Sequence, residues 1–273
     1  MNKQIDIDEL KKIQIDILDV FSGYCERNGL TYYLTYGTLI GAVRHKGYIP
    51  WDDDVDVMMP RKDYDLFIKS FNDGIEAADI RAVSHEIDPK YYLPFAKVIN
   101  TETVMKEDVD SDYQIGVYID IFPLDNLADD YETAKKRMRK AFRYNELIIL
   151  KNLTFNRTRS WVKNAALAAG KVFSAFWNMD KLIEKLNNFG PVRADGGFTR
   201  YVGMITGIYS DDENGIFESK LFDETTTIEF EGKNYSTNKG YDAFLRRYYG
   251  DYMKLPPVEE QVSHHAFKAW YNK

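Results

Sequence analysis

Apolar positions recur at helical spacing between residues 8 and 27, where Leu10, Ile13, Ile17, Val20, Phe21 and Tyr24 share one side. Asn28-Gly29 ends that period with a pair suited to a left-handed helix terminus. Residues 31–36 (TYYLTY) are aromatic and β-branched and read as a strand. Gly37 turns the chain into a short helix over 39–44, which Gly47 and Pro50 break. An apolar run then carries a strand over 54–59, and Pro60 opens a helix with Tyr64, Phe67, Ile68 and Phe71 inward. Further strands are predicted at 80–85, 95–100 and 116–122, and helices over 130–190. The tail reads as a strand at 201–205, a hairpin around Glu231-Gly232-Lys233 and a helix over 241–249. Strands and helices intermix without repeats, which predicts an α+β fold: a mixed sheet flanked by helices. Three parts are expected: a core at 1–129, a helical basic insertion at 130–190, and a small α+β segment at 191–273 packing on the core.

Composition narrows this picture. At 273 residues, 44% hydrophobic and 29% charged, the chain is globular and long enough for one large domain or a core with a subdomain. The single cysteine, Cys25, excludes an internal disulfide and reads as a packed thiol near a helix end. The opening residues MNKQIDIDELKK lack the apolar centre of a signal peptide. No stretch is apolar for long enough to span a bilayer as a helix. A cytoplasmic protein is expected, with peripheral contact at the inner face of the cell membrane.

Charge is unevenly placed. The net charge is −7, yet residues 135–177 hold eleven Lys or Arg against one acid, Glu146, a local +10 that leaves −17 elsewhere. Within it, residues 161–177 (WVKNAALAAGKVFSAFW) are apolar, bounded by tryptophans and charged only through lysine. An anionic membrane surface is one partner that fits. Two ordinary helices with solvated basic faces fit equally, and no nucleic-acid partner is expected.

The strongest chemical signal is Asp52-Asp53-Asp54-Val55-Asp56-Val57. In a strand, Asp52, Asp54 and Asp56 would project to one side and repel unless a cation holds them. A divalent ion with oxygen ligands, Mg²⁺ or Mn²⁺, answers that need. Asp120 interrupts the apolar run Val117–Phe122 and must meet a cation or a backbone group. Asp54, Asp56 and Asp120 are therefore candidate metal ligands and catalytic acids. Asp125 reads as a turn residue or helix cap. Such acids suit metal-assisted phosphoryl chemistry. Gly37 and Thr38 offer backbone N–H groups and a hydroxyl at a helix start, a favourable place for phosphate. Arg44, His45 and Lys97 are further phosphate-binding candidates. A structural hydrogen bond for His45, and an exposed edge-strand face for Lys97, are the plainer readings.

The order of strand, Gly-Thr turn, short helix, Asp-x-Asp strand and third Asp strand is that of the nucleotidyltransferase fold. The run Tyr36-Gly37-Thr38-Leu39-Ile40-Gly41 through Pro50-Trp51-Asp52-Asp53-Asp54-Val55-Asp56-Val57 closely resembles the LicD family. So do Ile119-Asp120-Ile121-Phe122-Pro123-Leu124-Asp125 and Tyr249-Gly250-Asp251-Tyr252-Met253-Lys254-Leu255-Pro256-Pro257. The resemblance implies a phosphotransferase moving phosphocholine, or a related alcohol phosphate, from a CDP-linked donor such as CDP-choline. The acceptor would be a sugar hydroxyl of a cell-surface glycan, lipid-linked glycan or teichoic acid precursor. By position it makes Asp54 and Asp56 metal ligands, Asp120 the third acid and Asp52 an outer or alternate carboxylate. Fukutin-related proteins share the core motif, but this chain has no cysteine cluster for their zinc module. His264 and His265 in the tail also match the family. A choline group calls for an aromatic or acidic cage, for which Trp51 and Tyr48 stand nearest to the acids in sequence. An Asp-x-Asp glycosyltransferase using a nucleotide sugar, or a non-catalytic glycan-binding relative, are the alternatives. Neither needs both the Gly-Thr turn and Asp120.

Overall fold

Asp6 starts the first helix by accepting a hydrogen bond from the Glu9 N–H at 2.9 Å, and Gly29 ends it with a φ of 62°. The structure, a computed structural model, describes residues 3–106, 113–155, 160–207, 213–262 and 268–272. In chain order the elements are β1 (Gln4–Ile5), α1 (Ile7–Asn28), β2 (Tyr33–Leu34), α2 (Tyr36–His45), β3 (Asp56–Pro60), α3 (Arg61–Gly74), β4 (Ile80–Val83), β5 (Ala96–Asn100), β6 (Thr103–Lys106) and β7 (Tyr118–Ala128). There follow α4 (Tyr131–Asn152), α5 (Trp161–Ser174), α6 (Met179–Asn187), β8 (Tyr201–Gly203), β9 (Phe217–Glu218), β10 (Thr225–Phe230), β11 (Lys233–Asn238), α7 (Tyr241–Tyr249) and β12 (Lys268–Tyr271).

The fold is α+β. The main sheet runs β2-β3-β7-β5-β4, and β8 and β9 extend it from the far half of β7. Among the described residues, β3 and β7 pair in parallel and the other neighbours in this sheet are antiparallel. This mixed register sets Asp56 opposite Asp120, and Asp120 opposite Lys97. Directly opposed residues share a sheet face, so one row carries two acids and a cation.

Helix α1 lays Leu10, Ile17, Leu18 and Phe21 on the core, where Phe21 meets Tyr32 and Phe67 edge-on at 5.2 and 5.3 Å. Each such ring contributes about 1.5–3 kcal/mol by burial alone. The hairpin β10–β11 and α7 join this same core through Phe230, Tyr235 and Phe244. A second core lies under α4 and α6, where Met138, Ala141 and Ile148 pack with Leu182, Ile183 and Leu186. Among the described residues, no helix is long and apolar enough to cross a membrane.

Four expectations need correction. The strand predicted at 31–36 shrinks to Tyr33–Leu34, because Thr35 caps α2. The aspartate run is not a strand ladder: residues 52–55 are irregular and β3 begins at Asp56. The strand carrying Asp120 continues through Pro123 to Ala128. Proline is tolerated there because β5 stops pairing at Ile121 and β8 starts at Asp125. Asp125 is consequently neither turn nor cap. It is 1% exposed and accepts from Arg61 Nε at 2.7 Å and Nη2 at 2.9 Å, a buried fork between β7 and the first residue of α3. The small sheet β1-β12-β6 was not anticipated.

Candidate active site

Two strands deliver the central acids. Asp56 opens β3, and its N–H donates to the Thr38 hydroxyl oxygen at 2.8 Å while its carbonyl accepts from the Thr35 N–H at 3.1 Å. The start of α2 therefore fixes the backbone of Asp56, which is a positioning task for Thr38. On β7 the Asp120 N–H donates to the Val55 carbonyl at 2.9 Å, and its carboxylate meets Lys97 Nζ at 2.7 Å. Lys97 is 2% exposed and its ammonium lies 3.2 Å from the centre of the Tyr118 ring. The plainer reading of Lys97, an exposed edge-strand face, is overturned: β5 is flanked by β7 and β4.

Burial pushes the Asp56 carboxyl well above the usual carboxylate range, and the charges of Asp54, Asp120 and Asp52 push it further, with Lys97 opposing. The same acids reach neighbouring phenols. Burial, Tyr248 and then Asp56, Asp52 and Asp54 raise Tyr249, while burial, Glu231, Asp54 and other groups raise Tyr48. Asp52, Asp54, Asp56 and Asp120 thus form one electrostatic neighbourhood.

Hard carboxylate oxygens, with a buried Asp56 crowded by like charge, fit a divalent cation in their chemistry. Among the described residues, however, no three His, Cys, Asp or Glu side chains are drawn together as a ligand cluster. The fit rests on the opposed pair Asp56 and Asp120 and on the proximity of Asp54.

Helix α2 approaches this acid cluster closely. A Cβ on Gly37 would stand 2.5 Å from Asp52 Oδ2, so the bare glycine lets the helix lie this close to the carboxylate in its present position. Tyr36, just before it, holds a φ of 46°, an outlier for a bulky residue and a local store of strain. The other face of the loop is pinned by Glu231, whose N–H donates to the Lys46 carbonyl at 2.9 Å and whose carboxylate accepts from the Tyr48 N–H at 3.0 Å.

Gln14 was not singled out by patterning, although a glutamine inside the apolar stripe of α1 is the signal. It is 1% exposed; its amide donates to the carbonyls of Asp53 at 3.0 Å and Tyr118 at 3.3 Å, and it accepts from the Tyr48 hydroxyl at 3.0 Å. One side chain thus ties the acidic loop to β7.

Tyr248 and Tyr249 were also missed as site residues, although Tyr249 begins the quoted tail motif. Tyr248 packs 5.4 Å from Tyr36 and 4.9 Å from Tyr249, and Tyr36 packs 5.6 Å from Phe122. Trp51 is half-buried against the main core.

Arg44 turns to the tail and also bonds its neighbour His45. Arg44 donates through Nη1 to the Tyr252 carbonyl at 2.8 Å and through Nε to His45 Nε2 at 2.9 Å. Burial and the Arg44 charge lower the His45 pKa, which matches an acceptor Nε2. His264 and His265 lie outside the described residues.

Two sizeable grooves lie elsewhere. One of about 710 Å³ separates α4 from α6, and one of about 620 Å³ borders Arg61 and Asp125; neither is lined by the central acids.

A mixed sheet with acids on adjacent parallel strands, and a helix start pressed against them, defines a nucleotidyltransferase-type domain. Residues 29–164 match the family model described as LicD/FKTN/FKRP, nucleotidyltransferase domain. The lipopolysaccharide cholinephosphotransferase LicD of Haemophilus influenzae is 30% identical over 272 residues, covering 98% of this chain and 99% of that protein. The chain belongs to the LicD family. Mannosyltransferase regulator 4 of Saccharomyces cerevisiae is 28% identical over 110 residues, 38% of this chain and 9% of that protein. An uncharacterized protein of Rickettsia prowazekii is 49% identical over 37 residues, 14% of each chain.

Proposed function

We propose that this protein transfers phosphocholine from CDP-choline to a sugar hydroxyl of a cell-surface glycan precursor, using Asp54, Asp56 and Asp120 with a divalent cation. The observation that carries the reading is the row Asp56–Asp120–Lys97 across three strands, in a chain related along its length to a cholinephosphotransferase. Bound Mg²⁺ or Mn²⁺ would supply charge neutralisation at the diphosphate. Asp54, Asp56 and Asp120 are the residues that would hold it.

The rest of the chemistry falls to the chain. Lys97 keeps Asp120 oriented and offsets one negative charge beside an anionic donor. The start of α2, with Gly37 and Thr38, presents N–H groups where a phosphate is favoured. The acceptor hydroxyl forms a new O–P bond at the choline-bearing phosphorus. The bond from that phosphorus to the bridging oxygen breaks, CMP leaves with the oxygen, and a carboxylate of the cluster takes the hydroxyl proton. Tyr36, Tyr248 and Tyr249 offer aromatic faces, and Asp52 a negative charge, to the quaternary ammonium.

A donor screen tests this reading. CMP release is expected from CDP-choline, in preference to CDP-glycerol and CDP-ribitol, in the presence of acceptor glycan and Mg²⁺. Release with Asp120→Asn at the wild-type rate would refute the role of the row.

A further inference from the structure

Helix α5 turns its apolar side away from the protein. At about 100° per residue, Trp161, Val162, Val172 and Phe173 fall within one arc of roughly 120°, with alanines between them, and Phe176 follows in the turn just past the helix end. These five are 81%, 55%, 69%, 57% and 85% exposed. The side facing the protein is the more polar one. There Leu167 and Ser174 are buried, Gly170 abuts Leu150, and Lys171 Nζ donates to the Lys151 carbonyl at 3.0 Å. An ordinary surface helix does the reverse, with apolar residues inward. A continuous apolar face held in water marks a surface that something else covers.

Charge says what covers it. Residues 161–177 contain Lys163 and Lys171 and no acid, and the 135–177 segment around them carries a local excess of +10. A second copy of this chain would bring two basic segments together, so like charge opposes self-association through this face. Tryptophan and phenylalanine on one face of a helix flanked by lysines, without neighbouring acids, suit an interface that is apolar inside and negative at its surface.

We propose that α5 docks this protein on an anionic lipid bilayer, setting Trp161, Phe173 and Phe176 at headgroup depth while Lys163 and its basic neighbours meet lipid phosphates. The helix lies in the interface plane and does not cross the membrane. The inference stands on exposure and charge alone and does not depend on the reaction proposed above.

Vesicle co-sedimentation tests it, with phosphatidylcholine–phosphatidylglycerol vesicles set against phosphatidylcholine alone. Wild-type protein should bind the anionic vesicles at low salt and dissociate as salt rises, since each basic residue near such a surface is worth about fivefold in partitioning. Phe173→Ser/Phe176→Ser should weaken binding at least about tenfold, because the apolar contribution is lost. Circular dichroism should stay as in the wild type, since Phe176 is exposed and Phe173 is more than half exposed, giving up a ring contact with Trp177 at 4.7 Å. Lys163→Gln should weaken binding to anionic vesicles only. No binding to anionic vesicles, equal binding by the double variant, or a wild-type dimer that the double variant converts to monomer would overturn the proposal.

Discussion

Lys97 Nζ stands 2.7 Å from the Asp120 carboxylate, and the two residues occupy directly opposed positions of β5 and β7. The side chains are 3% and 14% exposed, so neither charge is well screened by water. Breaking such a pair from one side strands the other charge. Lys97→Met should therefore lower stability by about 3 kcal/mol. Lys97→Met/Asp120→Asn should lose less than the sum of the single variants, with a coupling of roughly 1–3 kcal/mol in a urea-denaturation cycle. Additive losses would mean that the pair is not an energetic unit.

Asp56 opposes folding where Lys97 and Asp120 support it. Burial and the charges of Asp54, Asp120 and Asp52 raise its folded-state pKa above the unfolded value. Stability is then fully present below the ordinary carboxylate range and is lost as pH rises through the folded pKa. In chelator-treated protein, Asp56→Asn should abolish that loss and melt at least as high as the wild type at neutral pH. Turnover of the same variant should fall at least about 100-fold, the trade expected of a strained functional residue. Melting curves across pH, paired with CMP release, check both halves.

Two glycines of α2 should respond oppositely to alanine. At Gly37 the new Cβ meets the Asp52 carboxylate, the far end of a side chain rather than backbone. At Gly41 it meets backbone, including the Ile49 nitrogen at 3.2 Å. Gly37→Ala should lose activity with a stability change under about 1 kcal/mol. Gly41→Ala should lose stability by about 2 kcal/mol or more. Chemical denaturation and donor kinetics of the two variants separate placement of Asp52 from packing of the helix.

Tyr249 should discriminate between donors. Its ring packs on Tyr248 at 4.9 Å and its phenol feels Asp56, Asp52 and Asp54. Tyr249→Ala should raise KM for CDP-choline by about 5- to 30-fold through loss of a cation–π contact, and leave CDP-glycerol little changed. Equal effects on both donors would place the ring in packing rather than in choline recognition.

Much of the scaffold was legible in the chain. The helix α1, its Gly29 terminus, the Glu231-Gly232 hairpin and α7 follow from periodicity and turn chemistry, which act locally. The acids of the candidate site stand out in the chain because carboxylates inside apolar runs violate local rules. The partners of those acids do not. Whether Lys97 faces solvent or Asp120 depends on the β5–β7 register, and Arg61 reaches Asp125 only because β7 runs on past Pro123. Tyr248 joins Tyr36 from the far end of the chain. Arg44, a phosphate-ligand candidate by its place before the acidic run, also donates to the Tyr252 carbonyl, a contact with the tail that spacing could not reveal. Pairing of that kind is a tertiary property and leaves no mark in a sequence window.

The most direct test of the central claim is mass-spectrometric detection of phosphocholine on an acceptor glycan incubated with the protein, CDP-choline and Mg²⁺, with CMP measured in the same tube. Equal amounts of modified glycan and CMP are expected, and neither product after chelation or with Asp56→Asn in a well-folded protein. Transfer of a sugar from a nucleotide sugar with no CMP from any CDP-alcohol, or full transfer by Asp56→Asn, would contradict it.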